Sequence, residues 1–570
     1  MLVSIAQVNL HVGNIEANSR RIIGCIGKAR EQRAELVIFP EMAITGYPPE
    51  DLLLRPAFLA RTADALETIA SHTADIAVLV GHPTMKGGRL FNSVSFLKDG
   101  RVCETYDKKQ LPNYGVFDEK RYFSAGSETK RIMLGSIPAA LSICEDLWVP
   151  EHAQAAREMG AKLLLSVNAS PFRSNIAAQR KEMLRRRAQE TGLGIVYVNL
   201  VGGQDELVFD GGSMVVDGHG EIVFQAPQFE EGQYLVEISE SNGSPEFDKR
   251  LNANEPLSNL SGIYACLTLG VKDYVRKSGF RGVIIGLSGG IDSALTTAIA
   301  VDALGAENVT VFLMPSRYSA EMSTLDAIAM ANNLGIQHHI IPIEEPFAAF
   351  TGALAATFQG LPIDPVDTTE ESIQARCRGV LLMAISNRTG KLVLTTSNKS
   401  EMAVGAAAIY GDMAGGFAPL KDVSKTLVYE LARWRNSKSQ VIPQRVIDRA
   451  PSAELRPNQL DSDSRPPYDI LDPIVERYVE LDQCSEDIVG AGFSADVVDS
   501  VVAKIYRNEF KRRQAAPGIK ITERAFGRER RYPIACGFKE GRPAVDDAAG
   551  VEVSKEVGAA VAVADVTDLT

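Results

Sequence analysis

No stretch of this 570-residue chain is apolar for long enough to cross a bilayer; its longest uncharged apolar runs are strand-sized, so membrane-spanning helices are not expected. Its seven cysteines, at 25, 103, 144, 266, 377, 484 and 536, form no C-x-x-C pair, which predicts a reducing cytoplasm and excludes a disulfide framework or zinc site. Positive charge is also short, 60 Lys+Arg against 72 Asp+Glu, and a net charge of −12 argues against a nucleic-acid surface. No basic segment precedes the first apolar run at residues 2–8, so no secretory signal is expected. The Walker pattern G-x-x-x-x-G-K-[ST] is missing from the glycine-rich turn at 286–290, as is G-x-G-x-x-G. What remains is an ordinary globular composition, 45% hydrophobic and 23% charged, with length for two or more cores.

The chain is organised around residues 282–295, GVIIGLSGGIDSAL. Val283, Ile284 and Ile285 predict a buried strand, Ser288-Gly289-Gly290 a turn without bulk, and Asp292-Ser293 the start of a helix. Free amides and the helix dipole then converge on the turn and make it an anion site. The loop resembles the S-G-G-x-D-S signature of the ATP pyrophosphatases, which cleave ATP between its α and β phosphates. That resemblance implies ATP binding by Gly286, Leu287, Ser288, Gly289, Gly290, Ile291, Asp292 and Ser293, with Mg²⁺ held by Asp292.

In the first half, strand-like runs alternate with helical ones: 2–8, helix 18–33, 36–39, helix 55–71, 76–81, 93–98, 101–106, 139–143, 163–168 and 195–199. Three of the runs end in chemically unusual residues, Glu41, Lys108 and Cys144. A cysteine is a good nucleophile only as thiolate, and a carboxylate with an ammonium supplies the base and the balancing charge. Alone, a cysteine after a strand is usually a small buried hydrophobe, and Lys108-Lys109 a solvated edge. Together, Phe39-Pro40-Glu41, Lys108-Lys109-Gln110-Leu111-Pro112 and Ile143-Cys144-Glu145-Asp146 resemble the nitrilase, or carbon–nitrogen hydrolase, family. The family's pattern implies Glu41 as general base, Lys108 (with Lys109 beside it) as oxyanion stabiliser, and Cys144 as acyl carrier.

The following segment, LPNYGVFDE at 111–119, resembles the glutaminase domains fused to NAD⁺ synthetases. It implies glutamine contacts from Tyr114 and Ser170, with Glu119 as a second acid near the cysteine. Where that family has a basic residue six positions after the serine, this chain has Ile176, leaving Arg173 or Arg180 to hold the glutamine carboxylate.

Residues 238–255 are rich in turn formers and predict the boundary. A helix at 257–278 leads into the phosphate loop, and 309–314, 319–334 and 339–343 continue as strand, helix and strand of a parallel sheet. Three further stretches resemble NAD⁺ synthetases: EESIQAR at 370–376, LTTSNKSE at 394–401 and KITERAFG at 520–527. They imply deamido-NAD⁺ contacts from Ser372, Glu401 and Lys520, an ATP contact from Thr396, and Mg²⁺ or substrate at Glu401; Arg376 and Arg378 can reach phosphates. Residues 451–468 read as a flexible flap and 405–416 resemble the family's mobile substrate loop.

The expected architecture is α/β: a nitrilase-like layered α-β-β-α glutaminase domain over residues 1–240, a linker over 241–258, and a doubly wound, Rossmann-like ATP-pyrophosphatase domain over 259–538. A poorly ordered tail is expected at 539–570. The resemblance covers roughly residues 1–535. It implies L-glutamine, ATP and deamido-NAD⁺ as substrates, Mg²⁺ with the ATP, and a homo-oligomer; the acidic charge and short apolar runs lead to no expected nucleic-acid or membrane partner.

Overall fold

A computed structural model describes residues 1–540 apart from 242–243, 248–253, 255–256, 365–366, 464 and 539. Except for Glu540, the tail expected at 539–570 lies outside the described residues, as does much of the expected linker.

The first half is two sheets packed face to face between helices. Strand Leu2–Gln7 pairs in parallel with Leu36–Ile38, and that with Ala77–Lys86. Arg89–Lys98 and Arg101–Asp107 extend one edge antiparallel, and Gly232–Ser241 with Ser244–Phe247 the other, giving seven strands. The second sheet has six, in the order Ile222–Gln225, Met214–Val216, Gly194–Asn199, Leu163–Asn168, Ile137–Ile143, Arg131–Leu134. Side-chain alternation divides each central strand between two cores. Val3, Ile5 and Ile38 meet Leu141, Ile143 and Val167 between the sheets. Val37, Val78 and Val80 turn outward onto helices Ile15–Glu31 and Pro56–Ala70, while Ala140, Leu164 and Ile195 cover Pro150–Glu158 and Ile176–Thr191. This is the expected α-β-β-α sandwich, and burial on both faces explains why its central strands read as continuous apolar runs.

In the second half four parallel strands run in chain order 3-2-1-4: Gln337–Ile340, Val309–Leu313, Val283–Gly286, Leu392–Leu394. Helices Asn259–Lys277, Ile291–Leu304 and Lys425–Lys438 cover one face, and Glu344–Phe358 with Thr369–Thr389 the other. The order reverses between Val283–Gly286 and Leu392–Leu394, which is where an open α/β sheet opens a crevice for a ligand. Helices Lys399–Val404, Tyr468–Val475 and Ala495–Arg507 add a smaller apolar cluster beyond the sheet.

The halves are not beads on a string. Phe172, Ile176 and Val208 of the first share one core with Ile263, Leu267, Ile519 and Ile521 of the second. Lys277 Nζ donates to the carbonyls of Leu10 (2.8 Å) and Gly203 (2.7 Å), and Asp273 accepts from Asn9 and the Gly203 amide at 2.7 Å each.

Some predicted boundaries move by a turn or less. The first helix begins at Ile15 instead of 18 because Asn14 caps it, its side chain accepting from Ala17 N at 3.3 Å. The helix expected at 257–278 runs Asn259–Lys277 behind the cap Ser258, and the strand expected at 339–343 is Gln337–Ile340.

Candidate active sites

The first site lies where strands of both sheets of the sandwich end. Lys108 is buried and its ammonium donates to Glu41 Oε1 at 2.7 Å and Glu119 Oε1 at 3.0 Å. Asn92 Nδ2 donates to the same Glu41 oxygen at 2.7 Å, the Ala169 amide to the other at 2.9 Å, and Tyr47 OH to Glu119 at 2.9 Å. Of the two adjacent lysines, Lys109 points elsewhere, to Thr129 Oγ1 at 2.6 Å. Two carboxylates therefore share one ammonium out of water. Burial works against the Lys108 charge, but Glu119 and Glu41 outweigh it and hold the amine well above its usual range. Burial pushes the Glu119 carboxyl up to about 7, with the Glu41 charge adding to it and Lys108 opposing.

Cys144 follows strand Ile137–Ile143 and opens a 3₁₀ turn, Cys144–Leu147, with φ +44°. That left-handed backbone is costly for a side-chain-bearing residue and turns it sharply out of the strand. Burial and the Glu41 charge raise the thiol well above its normal range, against the pull of Lys108. At rest the sulfur keeps its proton, so a base must take it when a substrate arrives.

Around this cluster Tyr114 OH donates to Glu145 Oε1 at 2.9 Å, and the Arg173 charge acts on the same phenol. Arg173 pairs with Glu523 of the second half and donates to Gln179 at 2.8 Å. Ser170 Oγ accepts from Arg180 Nε at 3.1 Å. Arg180 is itself fully committed, bidentate on Asp210 at 2.7 and 3.0 Å and bonded to the Ser170 and Pro171 carbonyls. Ile176, at the position where a basic residue was expected, is buried in the seam between the halves.

The second site is a cavity of about 280 Å³ at the topological switch. Every predicted loop residue from Gly286 to Ser293 except Gly289 lines it, as do Thr396 and Glu401. Ser288 and Ser293 lock the loop: Ser293 Oγ accepts from Ser288 N at 3.2 Å, and Ser288 Oγ from Gly290 N at 3.2 Å. Gly289 holds φ +83°, and a Cβ there would stand 2.2 Å from the Ser323 carbonyl oxygen, so only glycine fits. Asp292 accepts from Asn398 Nδ2 at 2.9 Å and pairs with Lys425, whose ammonium is also 3.7 Å from Glu401. Burial and the Asp292 charge raise the Glu401 carboxyl to about 7 despite Lys425.

From the segment expected as a flexible flap, Pro451, Glu454, Leu455, Asp461 and Arg465 line this cavity, and Glu454 accepts from Ser323 Oγ at 2.6 Å and Ala320 N at 3.1 Å. Arg449, just before them, donates to Ser323 Oγ (2.7 Å) and the Gly289 carbonyl (3.2 Å). Arg378 lines the cavity, whereas Arg376 and Ser372 do not. Lys520 lies elsewhere, in a cavity of about 290 Å³ between the halves, where its ammonium pairs with Glu529 at 2.9 Å and donates to the Thr522 and Glu523 carbonyls.

The carbon–nitrogen hydrolase family model matches residues 2–243, and the NAD synthase model residues 263–515. A glutamine-dependent NAD(+) synthetase of Xylella fastidiosa is 49% identical over 544 residues, covering 94% of this chain and 99% of the relative. The chain belongs to the glutamine-dependent NAD⁺ synthetases. One from Aquifex aeolicus is 43% identical over the same 94% of the chain. A solved synthetase of this family from Acinetobacter baumannii, in complex with ADP, is 43% identical with TM-score 0.76, covering 95% of this chain and 99% of its own. A synthetase from Cytophaga hutchinsonii, 22% identical, shares the fold at TM-score 0.81 over 94% of this chain.

Within this synthetase-family fold, several residues around the sites carry no sequence signal that singles them out. Asn92 and Tyr47 sit in ordinary apolar strand and loop contexts, and Asn398, Lys425 and Arg449 reach the loop from segments far away in sequence. Glu119 also bears on stability. An unfolded glutamate titrates near ~4.3 and this one near 7, so the native state holds the proton more tightly. That contribution is whole below pH ~4.3 and is lost as pH rises through 7. Wild type should therefore lose melting temperature relative to Glu119→Gln between about pH 5 and about pH 8, as read by scanning calorimetry; a difference that stays flat across this window refutes the assignment.

Proposed function

We propose that the chain makes NAD⁺ from deamido-NAD⁺ and ATP with ammonia taken from L-glutamine, each half performing one reaction. The observation that carries this is the pairing, in one chain with a shared core, of a buried Glu41–Lys108–Glu119 cluster beside Cys144 and a serine-locked SGGIDS loop lining a cavity.

In the first half Glu41 takes the thiol proton, and the thiolate of Cys144 attacks the glutamine side-chain carbonyl. Lys108, already held above its usual range, balances the oxyanion. Glu41 returns that proton to the amide nitrogen, the intermediate collapses with loss of ammonia and leaves a thioester on Cys144, and water deprotonated by the freed Glu41 then releases glutamate. Tyr114, Ser170 and Glu119 complete the glutamine pocket. Ile176 is apolar and Arg180 is buried on Asp210, so the glutamine carboxylate falls to Arg173, which is part-exposed and would exchange its Glu523 partner for the substrate.

In the second half the loop amides from Gly286 to Ser293 and the hydroxyls of Ser288 and Ser293 receive the ATP phosphates, with Thr396 beside them. Asp292 and Glu401 would hold Mg²⁺. They suit it: two hard carboxylates stand beside a phosphate loop with the single Lys425 ammonium between them, and burial with the Asp292 charge still pushes the Glu401 carboxyl up to about 7. The ion would neutralise the leaving pyrophosphate. The nicotinate carboxylate of deamido-NAD⁺ attacks the α-phosphorus, pyrophosphate leaves, and ammonia then displaces AMP from the adenylate to give the amide. Ser372, Glu401 and Lys520 were expected to touch deamido-NAD⁺; Glu401 faces the cavity, whereas Ser372 and Lys520 require the substrate to extend beyond it. An ADP complex is known for the Acinetobacter baumannii relative, which supports a nucleotide site here.

Ammonia must cross unprotonated; the seam cavity between the halves is walled by Val116, Leu207, Tyr274 and Phe526 on its apolar side and by Asp205, Glu206, Lys520, Arg528 and Glu529 on its charged side. The exposed apolar side chains of Phe350, Phe358, Leu361 and Ile363 support a homo-oligomer through the second half. The protein would work in the cytoplasm. Incubated with deamido-NAD⁺, Mg-ATP and glutamine labelled with ¹⁵N at its amide, it should place the label in the NAD⁺ carboxamide. Label found only in free ammonia, with no NAD⁺ formed, would remove the synthetase assignment.

A further inference from the structure

The Cys144 backbone, at φ +44°, needs neighbours that over-determine it. Asp146, two residues on in the same 3₁₀ turn, is fully buried and forms no ion pair among the described residues. A lone carboxylate out of water is expensive unless its oxygens are satisfied, and this one accepts four hydrogen bonds. Oδ2 receives Ile143 N at 3.0 Å and Tyr106 OH at 2.7 Å; Oδ1 receives the amides of Lys109 at 3.0 Å and Gln110 at 2.9 Å.

The chemistry of those partners is instructive. Ile143 directly precedes the cysteine, while Tyr106 and Lys109-Gln110 lie on either side of Lys108. One carboxylate thus ties the end of the cysteine's strand to both flanks of the lysine, across two different sheets. The Tyr106 ring packs on His152 at a centroid distance of 5.5 Å, and His152 Nε2 meets the Leu141 carbonyl, back in the cysteine's strand, at 3.0 Å. Hydrophobic side chains could fill this space and stabilise the fold without the cost of a buried charge. They could not set the spacing of two backbone segments to hydrogen-bond tolerance.

We propose that Asp146 is a positioning residue for the glutaminase reaction: it fixes the Cys144 thiol relative to the Lys108 ammonium without touching the substrate. The proposal rests on Cys144 and Lys108 acting as nucleophile and oxyanion partner. Its effect comes from alignment, and a misplacement of about 1 Å costs on the order of 10²-fold in rate.

Asp146→Asn preserves shape but keeps a single acceptor oxygen, so one of the two pairs of bonds is lost. Glutaminase kcat should fall on the order of 10²-fold, with KM for glutamine within about threefold of wild type. NAD⁺ formation from ammonium, catalysed in the other half of the same molecule, should stay within about twofold and serves as an internal count of folded enzyme. Tyr106→Phe removes one bond of the four and should cost about tenfold in glutaminase kcat, which keeps the test decisive if Asp146→Asn does not fold. Glutaminase kcat within about twofold of wild type in the two variants, while Cys144→Ala abolishes it, overturns the positioning role. Glutaminase that survives in Cys144→Ala overturns the reading beneath it. A loss of glutaminase and ammonium activity in equal proportion in the Asp146 variant also overturns the positioning role, because a merely structural residue would act that way.

Discussion

Cys144→Ala should abolish NAD⁺ formation from glutamine, by roughly 10⁴-fold or more, because the remaining groups cannot form the acyl intermediate. Formation from ammonium should stay within about twofold of wild type, since the phosphate loop and its cavity use no atom of the first half's pocket. The substitution is small in structural terms: alanine fits the space of a buried cysteine and meets the same left-handed backbone at φ +44°. Steady-state rates with each nitrogen source, on one preparation, check it. Glutamine-dependent synthesis at a tenth of wild type or better would rule Cys144 out as nucleophile.

Asp292→Asn should produce the complementary phenotype. NAD⁺ formation should drop by about 10³-fold with either nitrogen source, equivalent to about 4 kcal/mol of transition-state stabilisation. Glutamine hydrolysis should survive. Asparagine is the appropriate replacement because Asp292 is also the partner of buried Lys425, and truncation to alanine would leave that ammonium without its nearest carboxylate. The amide keeps an oxygen for Lys425 and loses the charge that a divalent ion needs. Pyrophosphate release, followed alongside glutamate release over a range of Mg²⁺ concentrations, separates the two reactions. Synthesis within about threefold of wild type would remove Asp292 from the phosphate site.

These two residues also mark what can be read from the chain and what cannot. Asp292 and Cys144 each sit at the junction of an apolar run and a turn, and such junctions are local: strand, glycine turn and helix start are visible within fourteen residues at 282–295. The layered sandwich was legible for the same reason, since its central strands are buried on both faces and read as unbroken apolar segments. What closes each site is not local. Lys425 lies 133 residues from Asp292, Asn92 lies 51 from Glu41, and the four bonds of Asp146 reach back as far as Tyr106, 40 residues earlier. Nothing in the composition around Asn92 or Asp146 separates a ligand-facing polar residue from a satisfied core one. For Lys520, implied as a deamido-NAD⁺ contact, the sequence does not reveal that Glu529, nine positions on, folds back to pair with it.

The core shared across the seam bears on how this enzyme can be cut or recombined. Phe172, Ile176 and Val208 pack against the second half as well as against Phe229 of their own half, and Ile519 and Ile521 return from near the end of the described chain to the same place. A fragment ending near residue 243 would leave that apolar surface wet, and a fragment beginning near 263 would lack the start of the helix Asn259–Lys277 as well as its partner. Exchange of one half for that of a relative would have to carry across both sides of this contact, since two proteins that match it differently would share neither a core nor a seam. The two halves therefore pack as one unit across this seam, even though two separate family patterns describe them.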